Sequence, residues 1–153
     1  MKLYFDTCCY SRPYDDQAHQ EQERVWAEIV AILAIIRICK LAGYGIVGSI
    51  AVIDEISDII EVKKFQNVMG LYRRTVNEYI PISADIRSRA QWLMVRGLKE
   101  YDSFHLAFSE AAGVDFLLTT DIRFEKKCAR NNFSMVNIIN PSNFLPEVVR
   151  WVQ

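Results

Sequence analysis

Five short apolar runs, each separated from the next by a stretch with helical patterning, constrain this chain more than any other feature. They are Leu3–Phe5, Tyr44–Val47, Tyr79–Ile82, Asp115–Leu118 and Met135–Ile139. Such runs are too short for helices and suit buried strands. Helices are expected from about His19 to Leu41, from Ser49 to Ile60, around Lys63 to Asn77, from Ser83 to about Val95, from Asp102 to Ala112 and from Ile122 to Asn131. Strands alternating with helices build a mainly parallel sheet covered on both faces. The expected fold is α/β: a three-layer α/β/α sandwich, as one domain over residues 1–153.

Local punctuation supports these boundaries. Gly43 and Gly97 stop helices, and Ser49 and Ser83 can cap the helices that follow them. Ser11-Arg12-Pro13-Tyr14-Asp15-Asp16 reads as a turn-rich loop. Pro81 marks the third run as an edge or a strand end. In the Ser49 helix, Ile50, Val52, Ile53, Ile56, Ile59 and Ile60 cluster on one face at 100° per residue. Asp54 and Asp58 point away from that face, whereas Glu55 lies at its edge. Ala27 to Cys39 is almost wholly apolar but only 13 residues long. A membrane span needs about 20, so a core-facing or dimer-facing helix is expected and no membrane association.

The formal net charge is −1, which gives no global attraction for nucleic acid. A polyanionic substrate would need a local basic patch. Cysteines stand at 8, 9, 39 and 128 without zinc-site spacing, and no signal peptide precedes the first strand. Reduced thiols in the cytoplasm are expected, with Cys39 as a small core residue.

Four acids stand at element junctions or near helix starts: Asp6, Glu55, Asp102 and Asp121. In an open parallel sheet, residues just past the carboxyl ends of strands converge on one crevice. Carboxylates gathered there repel one another, and burying them unpaired is costly. A hard divalent ion such as Mg2+ or Mn2+ relieves that repulsion through oxygen ligands. Scattered acids with no evident covalent nucleophile point to metal-assisted phosphodiester hydrolysis. Each acid also has a plainer reading. Asp102 and Asp121 could cap helices, Asp6 could open a turn, and Glu55 could sit in water.

The chain also resembles a known family. Lys2-Leu3-Tyr4-Phe5-Asp6-Thr7-Cys8, Glu55-Ile56, Tyr101-Asp102-Ser103-Phe104-His105-Leu106-Ala107 and Leu118-Thr119-Thr120-Asp121 are similar, in order and spacing, to the motifs of PIN domains. The small VapC-like toxin ribonucleases are the best-known members. The resemblance covers residue 2 to about 140, and the loop from Ser11 to Asp16 resembles a bacterial and archaeal subgroup. It implies a three-layer fold, bound Mg2+ or Mn2+, endonuclease cleavage of RNA, a small antitoxin partner and a homodimer. The family's metal-site acids carry onto Asp6, Glu55, Asp102 and Asp121. Many relatives have a further Asp or Asn just after the last acid; here Ile122 and Arg123 stand there, and Glu125 is the nearest carboxylate.

On this reading Asp6 and Asp102 are the main ligands, directly or through water, Glu55 completes the site or helps orient the attacking water, and Asp121 holds a bound water or a second ion. Arg12 could grip phosphate, or pair with Asp15 or Asp16. Thr119 and Thr120 could donate to phosphate or to Asp121, or be ordinary strand-end polarity. Arg123, with Lys126, Lys127 and Arg130, offers a phosphate-contacting edge. Among the aromatics Tyr4, Tyr10, Tyr14 and Tyr101, the loop residues Tyr10 and Tyr14 are the best placed to stack bases. His105, one turn after Asp102, is expected to pack near the core rather than act as a general base, and His19 to be exposed. Two histidines so far apart do not suit a metal-free acid–base pair. A phosphatase of the haloacid dehalogenase type wants an acid where Cys8 stands. A receiver domain wants an acidic pair and a late lysine that are not in place. The non-enzyme alternative is a catalytically silent PIN-fold binding module.

Overall fold

The computed structural model describes residues 1–16, 18 and 22–152. The expected start of the first long helix at His19, and the exposure of His19, lie outside the described residues. Strand β1 (Lys2–Phe5) buries Leu3, Tyr4 and Phe5 completely. A parallel strand covered on both faces must be apolar in succession rather than alternately, and this run is. Beside it lie β2 (Gly45–Gly48), β3 (Glu78–Tyr79), β4 (Phe116–Leu118) and β5 (Asn137–Ile139). All neighbours pair in parallel, in the order β3-β2-β1-β4-β5. Tyr4 faces Val47 on one side and Leu117 on the other. The chain reverses its winding at β1, so a crevice opens past the ends of β1 and β4.

The helices are α1 (Thr7–Ser11), α2 (Glu23–Ala42), α3 (Ile50–Ser57), α4 (Val62–Thr75), α5 (Ala84–Val95), α6 (Glu100–Ala112), α7 (Ile122–Asn131) and α8 (Pro141–Trp151). They flank the sheet; α2 packs with α8, and α5 with α6. The sandwich expected from the alternation is therefore the observed one.

Several local readings need correction. Between Asp6 and the loop read from Ser11 to Asp16 lies an unforeseen helix, α1, which takes in Ser11, and the loop itself forms a 3-10 turn at Arg12–Tyr14. Five residues are too few for periodicity to show. The third strand is two residues long; Ile80 still donates to the Gly48 carbonyl, and Pro81, lacking an N–H, ends the pairing. The Ser49 helix stops at Ser57, so Ile60 leaves its apolar face and is exposed. Helix α8 is additional. Asn140 caps it through Ser142 N at 2.9 Å, and Pro141 occupies the first turn, where a missing N–H costs nothing. Trp151 thus belongs to a helix, and its ring meets Phe116 edge-on at 6.2 Å.

Helix α2 is apolar nearly all round. It buries Val25, Ile29, Ile32, Ile35 and Cys39, yet leaves Trp26, Val30, Leu33 and Leu41 exposed along another stripe. No described helix is long and apolar enough to cross a membrane.

Gly48 shows how tightly the sheet is covered. A Cβ there would meet the Tyr72 hydroxyl and a Val76 methyl group. Gly48→Ala is expected to cost about 1–3 kcal/mol through overpacking, read as a lower urea midpoint; an unchanged midpoint would show that Tyr72 can give way.

Candidate metal centre

The crevice at the ends of β1 and β4 brings the sequence-separated acids together. Asp6 follows β1 in the N-cap position of α1, with extended backbone, but its side chain makes no cap bond. Its carboxylate turns inward instead, and only 5% of the residue is exposed. Thr119 donates to Asp6 Oδ2 at 2.8 Å. Asp6 Oδ1 lies 3.2 Å from His105 Nε2.

Glu55 reaches the same imidazole from α3, with Oε1 3.1 Å from Nε2. Asp54 and Asp58 on that helix are exposed, so the helical wheel placed all three acids correctly. Asp121 caps α7: Oδ1 accepts from Arg123 N and Phe124 N at 2.9 and 3.1 Å. Its second oxygen has no hydrogen bond among the described residues, so capping and ligation can coexist.

Asp102 differs from the reading as a cap. Lys99 holds the N-cap position of α6, and Asp102 stands one turn inside it. It accepts no hydrogen bond among the described residues. Burial pushes its carboxyl up to about 7, helped by the charges of Asp6 and Asp121. His105 and Lys99 oppose this rise without cancelling it, so a half-buried carboxylate with no donor stays strained beside two other carboxylates.

His105 was read from sequence as a core histidine. It is one, fully buried, but it also links two of the acids. Nε2 faces carboxylate oxygens on Asp6 and Glu55, so it carries a proton. Nδ1 lies 2.8 Å from the Tyr4 hydroxyl, which lies 2.7 Å from Ser49 Oγ. Ser49 therefore occupies the N-cap position of α3 while its hydroxyl serves this chain of bonds. Burial lowers the basicity of His105, but the charge of Asp6 and the bond to Glu55 outweigh it and raise its pKa. For Glu55, burial raises the carboxyl; the His105 bond, the His105 charge and the Thr7 hydroxyl overcome that and hold it below the ordinary value. One atom from each of Asp6, Glu55 and His105 lies within 4.8 Å of the others, close enough to share an ion. The sequence signal was the i, i+3 spacing from Asp102, which puts both on one helix face.

The remaining candidates separate. Thr119 is buried; besides binding Asp6, its oxygen accepts Asp121 N at 3.0 Å. It orders two acids at once. Thr120 acts through its backbone: N–H to Cys8 Sγ at 3.3 Å, and carbonyl to Arg24 Nη2 at 2.8 Å. Arg12 is paired with Asp15 at 3.1 Å, one of the two sequence alternatives, and also with Glu28 at 2.9 Å. Arg123, Lys126 and Arg130 are exposed along α7, while Lys127 bonds the Gly97 carbonyl. Tyr4 and Tyr10 are buried and cannot stack on a base; Tyr10 meets Tyr72 edge-on instead. Tyr14 and Tyr101 keep partial exposure. Tyr101 stacks near His105 and donates to Asp58 at 2.9 Å.

The stretch of chain that carries these four acids, from just after β1 to the β4–α7 junction, is matched by a family model. The model of the PIN domain matches residues 3–129. This chain belongs to the PIN-domain family. The matched stretch contains every acid of the crevice; β5 and α8 lie beyond it. In fold, this PIN domain is similar to a chain of the crystal structure of VapBC2 from Rickettsia felis bound to a DNA fragment from their promoter. The TM-score is 0.55 over 92% of this chain and 98% of that chain, with 14% sequence identity. Identity that low speaks to the shared fold. Comparison with curated protein sequences finds no match.

Proposed function

We propose that this PIN domain is an endoribonuclease dependent on Mg2+ or Mn2+, acting as the toxin of a pair with a small antitoxin. One observation carries the catalytic reading: Asp102, without a hydrogen-bond donor, is held against the charges of Asp6 and Asp121. An all-oxygen set of carboxylates of this kind suits a hard divalent ion. Asp6, Asp102 and Asp121 would hold it, with Glu55 at the rim. When bound, such an ion supplies Lewis acidity and lowers the pKa of water.

The chain's own residues do the rest. Thr119 fixes Asp6 and the Asp121 backbone in one geometry. His105 keeps Glu55 ionised beside Asp6, available to orient an attacking water. The toxin reading rests on the resemblance of the motifs to VapC-like proteins and on the fold shared with the VapBC2 chain. A homodimer is supported by the exposed stripe of Trp26, Val30, Leu33 and Leu41 on α2. The four free cysteines, three of them buried, suit a reducing cytoplasm.

The test is cleavage of a mixed single-stranded and structured RNA pool in Mg2+, Mn2+ or EDTA, comparing wild type with Asp6→Asn. Cutting that needs metal and is lost in the variant is expected. Retained cutting in the variant would remove Asp6 from the site. Metal binding without cutting would favour the silent binding module.

A further inference from the structure

We infer that Arg24 is a phosphate-binding residue of this site, gripping a phosphodiester of single-stranded RNA next to the one that is cut. The inference rests on the ribonuclease reading above. Glu28 on α2 is a fully buried carboxylate. Arg24 Nε meets its Oε1 at 3.0 Å, Asn140 Nδ2 donates to the same oxygen at 2.8 Å, and Arg12 Nε lies 2.9 Å from Oε2. Arg24 Nη2 also donates to the carbonyl of Thr120, the residue before Asp121.

Two bonds therefore aim this guanidinium before any ligand arrives. Ordering a long side chain costs about 2 kcal/mol of rotamer freedom; here the fold has already met that cost. The two cations on Glu28 are not equivalent. Arg12 is largely covered, with 16% of its side chain exposed, and it also pairs with Asp15. Arg24 keeps 54% of its side chain in solvent, and its Nη1 group has no hydrogen bond among the described residues. A tether alone would not need that free edge. A planar guanidinium presenting N–H groups to water suits phosphate oxygens. The position suits them as well. The crevice is acidic and the whole chain carries a net charge of −1, so an approaching polyanion needs a fixed cation at the rim. Of the two cations on Glu28, Arg24 is thus the one that presents a free edge to solvent.

The test is anisotropy of a 5′-fluorescein-labelled, mixed-sequence single-stranded RNA in EDTA, across a salt series, with cleavage followed separately in Mg2+ or Mn2+. Arg24→Gln leaves Glu28 with Arg12 and Asn140, so the fold should persist. It is expected to weaken binding about tenfold and reduce the slope of log K against log salt by about 0.7, the value for one phosphate contact on a single strand. Arg24→Lys should keep the slope but bind about threefold more weakly, because an ammonium cannot hold both tethers. Arg37→Gln, 13 residues along the same helix and so about 20 Å away, should bind like wild type. Unchanged affinity and slope in Arg24→Gln, or an equal loss in Arg37→Gln, would overturn the inference while leaving the nuclease reading intact. If Arg24→Gln does not fold, wild-type affinity in Arg24→Lys overturns it. A wild type that neither binds nor cuts RNA would overturn both readings.

Discussion

Asp102→Asn is expected to abolish cleavage and, at the same time, to make the metal-free protein more stable. The loss should reach about a thousandfold, the scale of the charge stabilisation that a bound metal provides. The gain follows from the same carboxyl. Burial and the charges of Asp6 and Asp121 raise it from 3.8 to about 7. A group with a raised folded pKa favours the fold fully below its unfolded value and loses that favour as pH rises through the folded value. Above pH 7 the ionised Asp102 therefore works against folding, and Asn removes the cost. Three units would be worth about 4 kcal/mol at 1.36 each, and partial exposure with salt screening reduces this to about 1–2 kcal/mol. Melting in EDTA at pH 8 should rise by about 3–6 °C, and the gain should shrink towards pH 4. A variant less stable than wild type at pH 8 would make Asp102 a structural group. Retained cleavage would remove it from the metal site.

His105→Ala should have the opposite effect on stability. It removes the donor between Asp6 and Glu55, strips Tyr4 of a buried partner and leaves a cavity. Breaking a buried ionic cluster from one side costs about 3–5 kcal/mol, and loss of a group that orients ligands costs about 10–100-fold in activity or metal affinity. The pH dependence has a definite sign. His105 is raised above 6.5, so its contribution is full below 6.5 and is lost as pH rises through its folded value. Glu55 is lowered below 4.5, so its contribution is full above 4.5 and is lost as pH falls through its folded value. The gap between wild type and variant should thus be widest from pH 4.5 to 6.5 and narrow on either side. Urea unfolding at pH 5.5 and pH 9 in EDTA measures it. A difference below about 1 kcal/mol at pH 5.5 would show that the bonds through His105 are weak.

Together these two variants separate groups that strain the fold from groups that hold the strain. Asp102 belongs to the first kind, and His105, Tyr4 and Thr119 to the second. Stability given up at a reactive site and recovered in its surroundings is a common arrangement in enzymes.

Much of this was legible before any coordinates. The apolar succession of Leu3, Tyr4 and Phe5 read as the first strand, in keeping with a strand covered on both faces, whereas its central place in the sheet came from the structure. The 100° periodicity around Ile53 and Ile56 put Glu55 at the edge of its helix and Asp54 and Asp58 in water, as observed. Asp121 ahead of a polar helix announced its cap, and Ser83 did the same for α5 through Ile86 N at 3.2 Å. Propensity, periodicity and capping are local, so a single sequence carries them.

The pairing of charges was not legible. Arg12 could bind phosphate or a nearby acid by every local criterion; the structure shows the nearby acid, Asp15, and adds Glu28 at 2.9 Å, a partner from α2 that no local criterion offered. His105 looked like a core residue and is one, but its acid partners come from 99 and 50 residues away in the chain. The donor-free state of Asp102 has no sequence signature at all. The sequence by itself determined the layers and the alternation of strands and helices, because hydrophobic period and helix capping act over a few residues; the four acids were picked out by their place at element junctions and by the family resemblance. Only the tertiary structure decided which cation meets which carboxylate, because that depends on side chains that strand pairing and helix packing bring to between 2.9 and 3.2 Å of one another, where desolvation makes each partner count.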